Sequence, residues 1–145
     1  MKRMILCLAA VSFLAACNDN DVSSDSVPDV VKKAVTDKYP DQKIDWKQTG
    51  EMFEAEIDVN DSTDITLQLD ASGKVIMQKE DVPVSEVPAS IHDDVKQQYD
   101  GEIDDAERLE KNGQVYYQVE LKGMKDRKLV YNQEGRADST QKYWE

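Results

Sequence analysis

Glu51-Met52-Phe53-Glu54-Ala55-Glu56-Ile57-Asp58-Val59 alternates polar and apolar residues, and Gln114-Val115-Tyr116-Tyr117-Gln118-Val119-Glu120-Leu121 repeats the pattern later in the chain. A period of two is that of a strand with one face in a core and one in water. Phe53, Ala55, Ile57 and Val59 then share one face, and Glu54, Glu56 and Asp58 the other. Two such strands in matching surroundings predict a duplicated unit and one shared sheet.

Working outward from the first strand, Ser26-Val27-Pro28-Asp29 is a helix start, an acid three residues after a serine with proline near the first helical position. Val30, Val31, Ala34, Val35 and Tyr39 lie on one helical stripe, and Pro40 predicts an end at Tyr39. Ile44 and Trp46 mark a strand over 43–49. The turn residues Asn60-Asp61-Ser62-Thr63 lead to a strand with Ile65, Leu67 and Leu69 inward. Asp70-Ala71-Ser72-Gly73 turns the chain into a fourth strand over 74–80, with Val75 and Met77 toward the core. The pattern then restarts. Val87-Pro88 opens a helix striped by Ile91, Val95 and Tyr99 and ended by Gly101; strands follow over 103–110, 114–121 and 129–131. Asn132-Gln133-Glu134-Gly135 mirrors the earlier turn, and a last segment ends in Tyr143-Trp144.

Equivalent points keep a nearly constant spacing: Pro28 to Pro88 is 60, Tyr39 to Tyr99 is 60, Gly73 to Gly135 is 62 and Phe53 to Tyr117 is 64. That agreement predicts a true internal repeat. Each unit reads as one helix followed by four antiparallel strands, too small to hide enough surface alone. Joining the units edge to edge covers two sheet edges. The expected fold is α+β: two tandem helix-plus-four-strand repeats, 27–82 and 83–145, in one globular domain over 27–145. They share one continuous antiparallel sheet with both helices on one face.

The succession Val-Pro-x-x-Val, Lys-Tyr-Pro, an Ile-x-Trp strand, Phe-Glu-Ala-Glu-Ile and Leu-Asp-Ala-Ser-Gly-Lys resembles the PepSY-like lipoproteins, which are related in fold to the beta-lactamase inhibitor protein. The likeness runs from Val27 to Trp144. It implies the helix-plus-four-strand unit used twice, a sheet face that grips a partner, and a role in inhibiting or regulating an envelope enzyme. No functional residue of the family maps clearly onto this chain.

The start of the chain supplies an address. Met1-Lys2-Arg3 is basic, Met4 to Phe13 is apolar, and Leu14-Ala15-Ala16-Cys17 resembles the lipobox of bacterial lipoproteins. Residues 1–16 are therefore expected to be a signal peptide, Cys17 the lipidation site, and 17–26 a flexible acidic tether. The predicted location is the bacterial cell envelope, lipid-anchored at the outer membrane, facing the periplasm or the cell surface. Cys7 lies in the removed segment, so no thiol remains for a disulfide. The formal charge is −12, and loss of Lys2 and Arg3 makes it −14. Such a field repels nucleic acid and favours a basic or amphipathic protein or peptide partner.

Catalytic chemistry finds little here. A nucleophile–base set has only His92 to draw on, at the edge of a helical stripe, and thirty acids in the chain make carboxylate pairs inevitable. No cofactor is expected and no enzyme activity, with an envelope hydrolase as the alternative reading. A second alternative is a calcium-binding structural component. Asp58, Asn60, Ser62 and Asp64 set oxygen ligands at alternate positions, but Thr63 stands where an EF-hand has glycine and Leu69 where it has glutamate. The leading expectation is a binding module whose open sheet face presents Met52, Glu54, Glu56, Thr66, Gln68, Tyr116, Gln118 and Glu120.

Overall fold

The architecture is that of a computed structural model, which describes residues 20–60, 63–123 and 127–144. The signal segment and Cys17 lie outside the described residues.

Helix α1 (Asp29–Thr36) follows a 3-10 turn at Ser24–Ser26, and helix α2 (Ala89–Tyr99) follows one at Val84–Glu86. Pro28 and Pro88 occupy the two N-cap positions, where a missing N–H costs nothing. Val27, Val31 and Val35 are buried in the first unit and Val87, Ile91 and Val95 in the second, each set at a four-residue spacing. Removing such a side chain from water contributes about 1.5–3 kcal/mol. Val30, expected on the stripe, is exposed instead. α1 stops at Thr36 rather than Tyr39; past it the Lys38 N–H bonds the Val35 carbonyl three residues back, at 3.1 Å, in place of the Ala34 carbonyl that a continuing helix would use. α2 ends in Asp100, one residue before the expected Gly101, and Asp100 takes the left-handed conformation (φ 49°) that closes the helix.

The strands are β1 (Lys43–Thr49), β2 (Met52–Asn60), β3 (Thr63–Leu69), β4 (Val75–Asp81), β5 (Ile103–Lys111), β6 (Gln114–Leu121) and β7 (Lys128–Asn132). They form a single seven-stranded antiparallel meander in sequence order, with β4 and β5 joining the units. Register puts Ile57 beside Ile65, Ile65 beside Glu80, Glu80 beside Arg108, and Arg108 beside Tyr117. Directly paired residues share a face, so one side of the sheet carries the inward residues of both units. Both helices pack on that side: α1 over Phe53, Ala55, Ile57, Leu67 and Leu69, and α2 over Ile103, Ala106, Val119, Leu121 and Tyr131. The Tyr131 hydroxyl donates to Asp94 on α2 at 2.9 Å, tying β7 to the helix.

These two cores are separate. Between them the helix side is polar, with Arg108 at 3.8 Å from Glu80 and 3.6 Å from Glu110. At the junction the apolar packing lies on the other side of the sheet, where Leu109, Tyr116 and Val130 are buried with Met77, Tyr143 and Trp144 against them. Met77 thus points away from the helices, contrary to expectation, because a bulge between Gln68 and Leu69 shifts the β3–β4 register.

Two other parts differ from the sequence reading. Asn20–Val22, placed in the tether, adds to the β1 edge: the Val22 N–H donates to the Trp46 carbonyl at 2.9 Å and the Gln48 N–H to the Asn20 carbonyl at 2.8 Å. The eighth strand is reduced to one bridge, Tyr131 to Ala137. Asp138 then accepts the N–H and hydroxyl of Thr140 at 2.9 and 2.6 Å, a turn that leads the chain off the sheet edge and across the side without helices.

Candidate binding face

The eight residues expected at a partner face do share the side away from the helices, since Glu56 pairs with Thr66, Glu54 with Gln68, Gln68 with Met77, Met77 with Lys111 and Lys111 with Gln114. They do not form one open surface. In the first unit Met52 and Gln68 are half-buried, and Glu56 holds Lys47 in an ion pair. In the second unit the segment 138–144 lies over them as a strap. Gln118 is 0% exposed and Tyr116 is buried, its hydroxyl donating to Gln114 at 2.9 Å. Glu120 pairs with Lys128 at 3.0 Å and meets the Tyr143 hydroxyl at 3.5 Å.

The strap is seated by an arrangement that the alternation of β6 does not reveal. The Gln118 side-chain carbonyl accepts the Trp144 N–H at 2.8 Å, and its amide donates to the Trp144 carbonyl at 3.1 Å. The same amide donates to Glu107 at 2.6 Å. Glu107 in turn takes the Lys79 ammonium at 2.8 Å, and Lys79 reaches the Trp144 carbonyl at 3.1 Å. The Lys79 and Glu107 side chains are 13% and 12% exposed, so this ion pair is largely desolvated and oriented by its hydrogen bonds. Lys79 also sits 5.4 Å from the Trp144 ring centre, and the indole N–H donates to Glu54 at 3.2 Å. Burial raises the Glu54 pKa above its ordinary value of 4.5, an effect opposed by that hydrogen bond and by Lys47. Tyr143 stays protonated far above the usual phenol range, first because it is buried and then because Glu107 and Glu120 face it.

Beside the strap an open cleft of about 660 Å³ runs into the first unit. Lys79 and Glu107 form one wall, and Asp45, Glu56, Asp58, Asp64 and Asp81 supply further carboxylates, with Lys43 the other base. Burial, with Asp105, Glu107 and Asp64 nearby, pushes the Asp81 carboxyl up. This is a cation-attracting surface continuous with the strap's seat.

The calcium candidate falls at the end of this cleft. Asp58 and Asp64 face each other across β2 and β3, Asn60 pairs with Thr63 past a bulge, and Ser62 lies outside the described residues. Among the described residues no group of three or more His, Cys, Asp or Glu is placed to hold a metal ion. His92 lies 3.1 Å from the Val84 carbonyl through Nε2, linking α2 to the turn before it. No helix among the described residues is long and apolar enough to cross a membrane.

Lys79, Glu107, Tyr143 and Trp144 were not singled out from the sequence. A signal was present: two large aromatics follow a turn-rich stretch, and Tyr116 and Tyr117 put an aromatic on each side of β6. A strand with bulky residues on both faces has both faces covered.

Two successive stretches, 14–77 and 74–137, match the beta-lactamase-inhibitor-like, PepSY-like family model. Several solved structures share the fold. A Bacteroides eggerthii protein described as periplasmic aligns with TM-score 0.66 at 18% identity, covering 77% of this chain and 85% of its own. A DUF2874 family protein from Bacteroides uniformis gives 0.64 at 18% identity, covering 76% and 85%. A BLIP-like protein from Bacteroides fragilis gives 0.60 at 17% identity, covering 79% and 90%. A search of curated proteins finds no match.

Proposed function

The chain belongs to the beta-lactamase-inhibitor-like, PepSY-like family, and on that premise we propose that it is a non-enzymatic, lipid-anchored envelope protein of a bacterium. It binds a basic or amphipathic protein or peptide through the side of its sheet that carries no helix. Cys17 is its lipid attachment point, and the outer membrane its location. Met52, Glu54, Glu56 and Gln68 meet the partner directly, while Tyr116, Gln118 and Glu120 form the floor under the strap. The family's likeness to beta-lactamase inhibitors supports an envelope enzyme as the partner and its regulation as the outcome.

The observation that carries this reading is the seat of Trp144: this side of the sheet already holds a segment by hydrogen bonds between the Gln118 side chain and its main chain and by an aromatic anchor. Such anchors beside a charged rim are the usual anatomy of a protein interface. Capture of the partner from envelope extract by the tethered protein tests it. Met52→Ala with Glu56→Lys and Asp64→Lys should reduce capture at least tenfold, and unchanged capture rejects this side of the sheet. For the anchor, Cys17→Ala should move the protein from the membrane to the soluble fraction; retention on the membrane rejects lipidation at that residue.

A further inference from the structure

We propose that the strap, residues 138–144, is a built-in competitor for a peptide groove, and that the ligand it yields to is an extended peptide bearing an aromatic residue followed by lysine or arginine. This rests on the binding reading above and names the chemistry of its partner.

The first argument is the manner of recognition. Gln118 offers one amide to both the N–H and the carbonyl of a single residue, the pair of bonds that a neighbouring strand would give. Such bonds read main chain and are indifferent to the side chain that rides on it. The amide is fully buried and held in place by Glu107, which is itself held by Lys79. The groove is therefore organised by residues of β4, β5 and β6, none of which belongs to the strap.

The second argument is the aromatic seat. Leu109, Tyr116 and Val130 make its apolar floor with Met77 at the side. Lys79 lies over the ring, and Glu54 takes the indole N–H. Ser139, Thr140 and Lys142 of the strap are exposed, and besides Tyr143 and Trp144 it is fastened by the Asp138 N–H on the Val130 carbonyl at 2.8 Å and by Lys111 on Gln141 at 3.4 Å.

The third argument is charge. The main chain leaves Trp144 at the carbonyl bound by Lys79, a residue of the cleft wall. Beyond it lie Glu56, Asp64 and Asp81. A lysine or arginine that follows the seated aromatic in a bound peptide meets its complement there. In the sequence Trp144 is followed by an acid, so the chain's own segment lacks that base and is kept in place by its high effective concentration.

Labelled peptides spanning residues 138–145, one native and one carrying Glu145→Lys, provide the test by fluorescence anisotropy. A Trp144→Ala chain should bind either peptide at least tenfold more tightly than the unaltered chain does. The Glu145→Lys peptide should bind severalfold more tightly than the native one, and that advantage should shrink as salt is raised. Equal affinities of the two chains, or no binding by a Trp144→Ala chain whose circular dichroism is native, overturns the proposal. If Trp144→Ala does not fold, hydrogen exchange on the unaltered chain replaces it. Excess Glu145→Lys peptide should then speed exchange at the Trp144 amide, and unchanged exchange overturns the proposal. Failure here with partner capture still sensitive to Glu56→Lys and Asp64→Lys removes the strap's role alone; insensitive capture removes the binding reading as well.

Discussion

β4 and the segment 137–143 occupy the same place in the two repeats and meet different fates. The turns before them are nearly superposable in their bonding. The Asp70 N–H donates to the Lys74 carbonyl at 3.0 Å, and the Asn132 N–H to the Arg136 carbonyl at 2.9 Å. Gly73 and Gly135 both take positive φ, 82° and 76°, and both donate at 2.9 Å to the carbonyl that opens their turn. After the turn, β4 is laddered by β3 on one side and β5 on the other. Among the described residues its counterpart has no further strand to join. It makes one bridge, turns at Asp138 and folds across the sheet. The comparison teaches that the turn launches a strand but a second neighbour keeps it, since a lone edge ladder competes poorly with local turn chemistry in Asp-Ser-Thr.

Proline substitution should break that comparison most sharply. Gln78→Pro removes a donor in a strand with partners on both sides and should cost about 3 kcal/mol or more. At the equivalent position, Thr140→Pro removes two exposed bonds to Asp138 and should cost about 1–2 kcal/mol. Urea unfolding of both variants measures the difference, and equal losses would mean that the strap is held as firmly as β4.

The two turn glycines come next in size. A Cβ at Gly73 would stand 2.8 Å from the backbone oxygen of Val30, and one at Gly135 would stand 2.0 Å from the Ser90 hydroxyl. Each glycine lets its turn press against the first turn of a helix. Gly73→Ala should cost about 1–3 kcal/mol, from positive φ and a carbonyl that cannot move aside. Gly135→Ala should be partly rescued by Ser90→Gly, since its obstacle is a side chain. Thermal melts of the three variants decide this.

The smallest effect is in pH. Glu54 and Asp81 have pKa values raised in the folded chain, chiefly by burial, above ordinary values of 4.5 and 3.8. The folded state therefore holds extra protons between those values and the raised ones, and stability climbs as pH falls through that window. Asp70 and Asp138 act in the opposite sense. Hydroxyl and backbone donors of Ser72 and Thr140 hold both below 3.8, so the stability they add is full above that pH and lost as pH drops through their folded values. The melting temperature should rise from pH 7 into the mildly acid range and fall below pH 3.8. Glu54→Gln should flatten the rise, and an unchanged rise would mean that the strap leaves Glu54 in water.

Most of the architecture was legible because it rests on local pattern. Val31 with Val35, Ile91 with Val95, and the period of two through Phe53, Ala55 and Ile57 state their partners in the sequence. What escaped depends on events between segments. The bulge at Gln68 and Leu69 reverses Met77, and period counting carries no record of a register shift in a neighbour. Of the candidate face, the side of the sheet was readable from Glu54, Glu56 and Gln118. Its cover was not, because the contact between Trp144 and Glu54 joins residues 90 positions apart. Gln118 looked like a solvated residue of an alternating strand; only the strap makes it the most enclosed polar group of the second unit.

Apolar packing changes sides along this sheet, above it under each helix and below it where the repeats meet. The molecule consequently has no single keystone. Truncating Ile57, Ile91 and Leu109 strikes three separate nests, so their losses should sum rather than compound, and a chain so built can alter its underside for a new partner while its two roofs stand untouched.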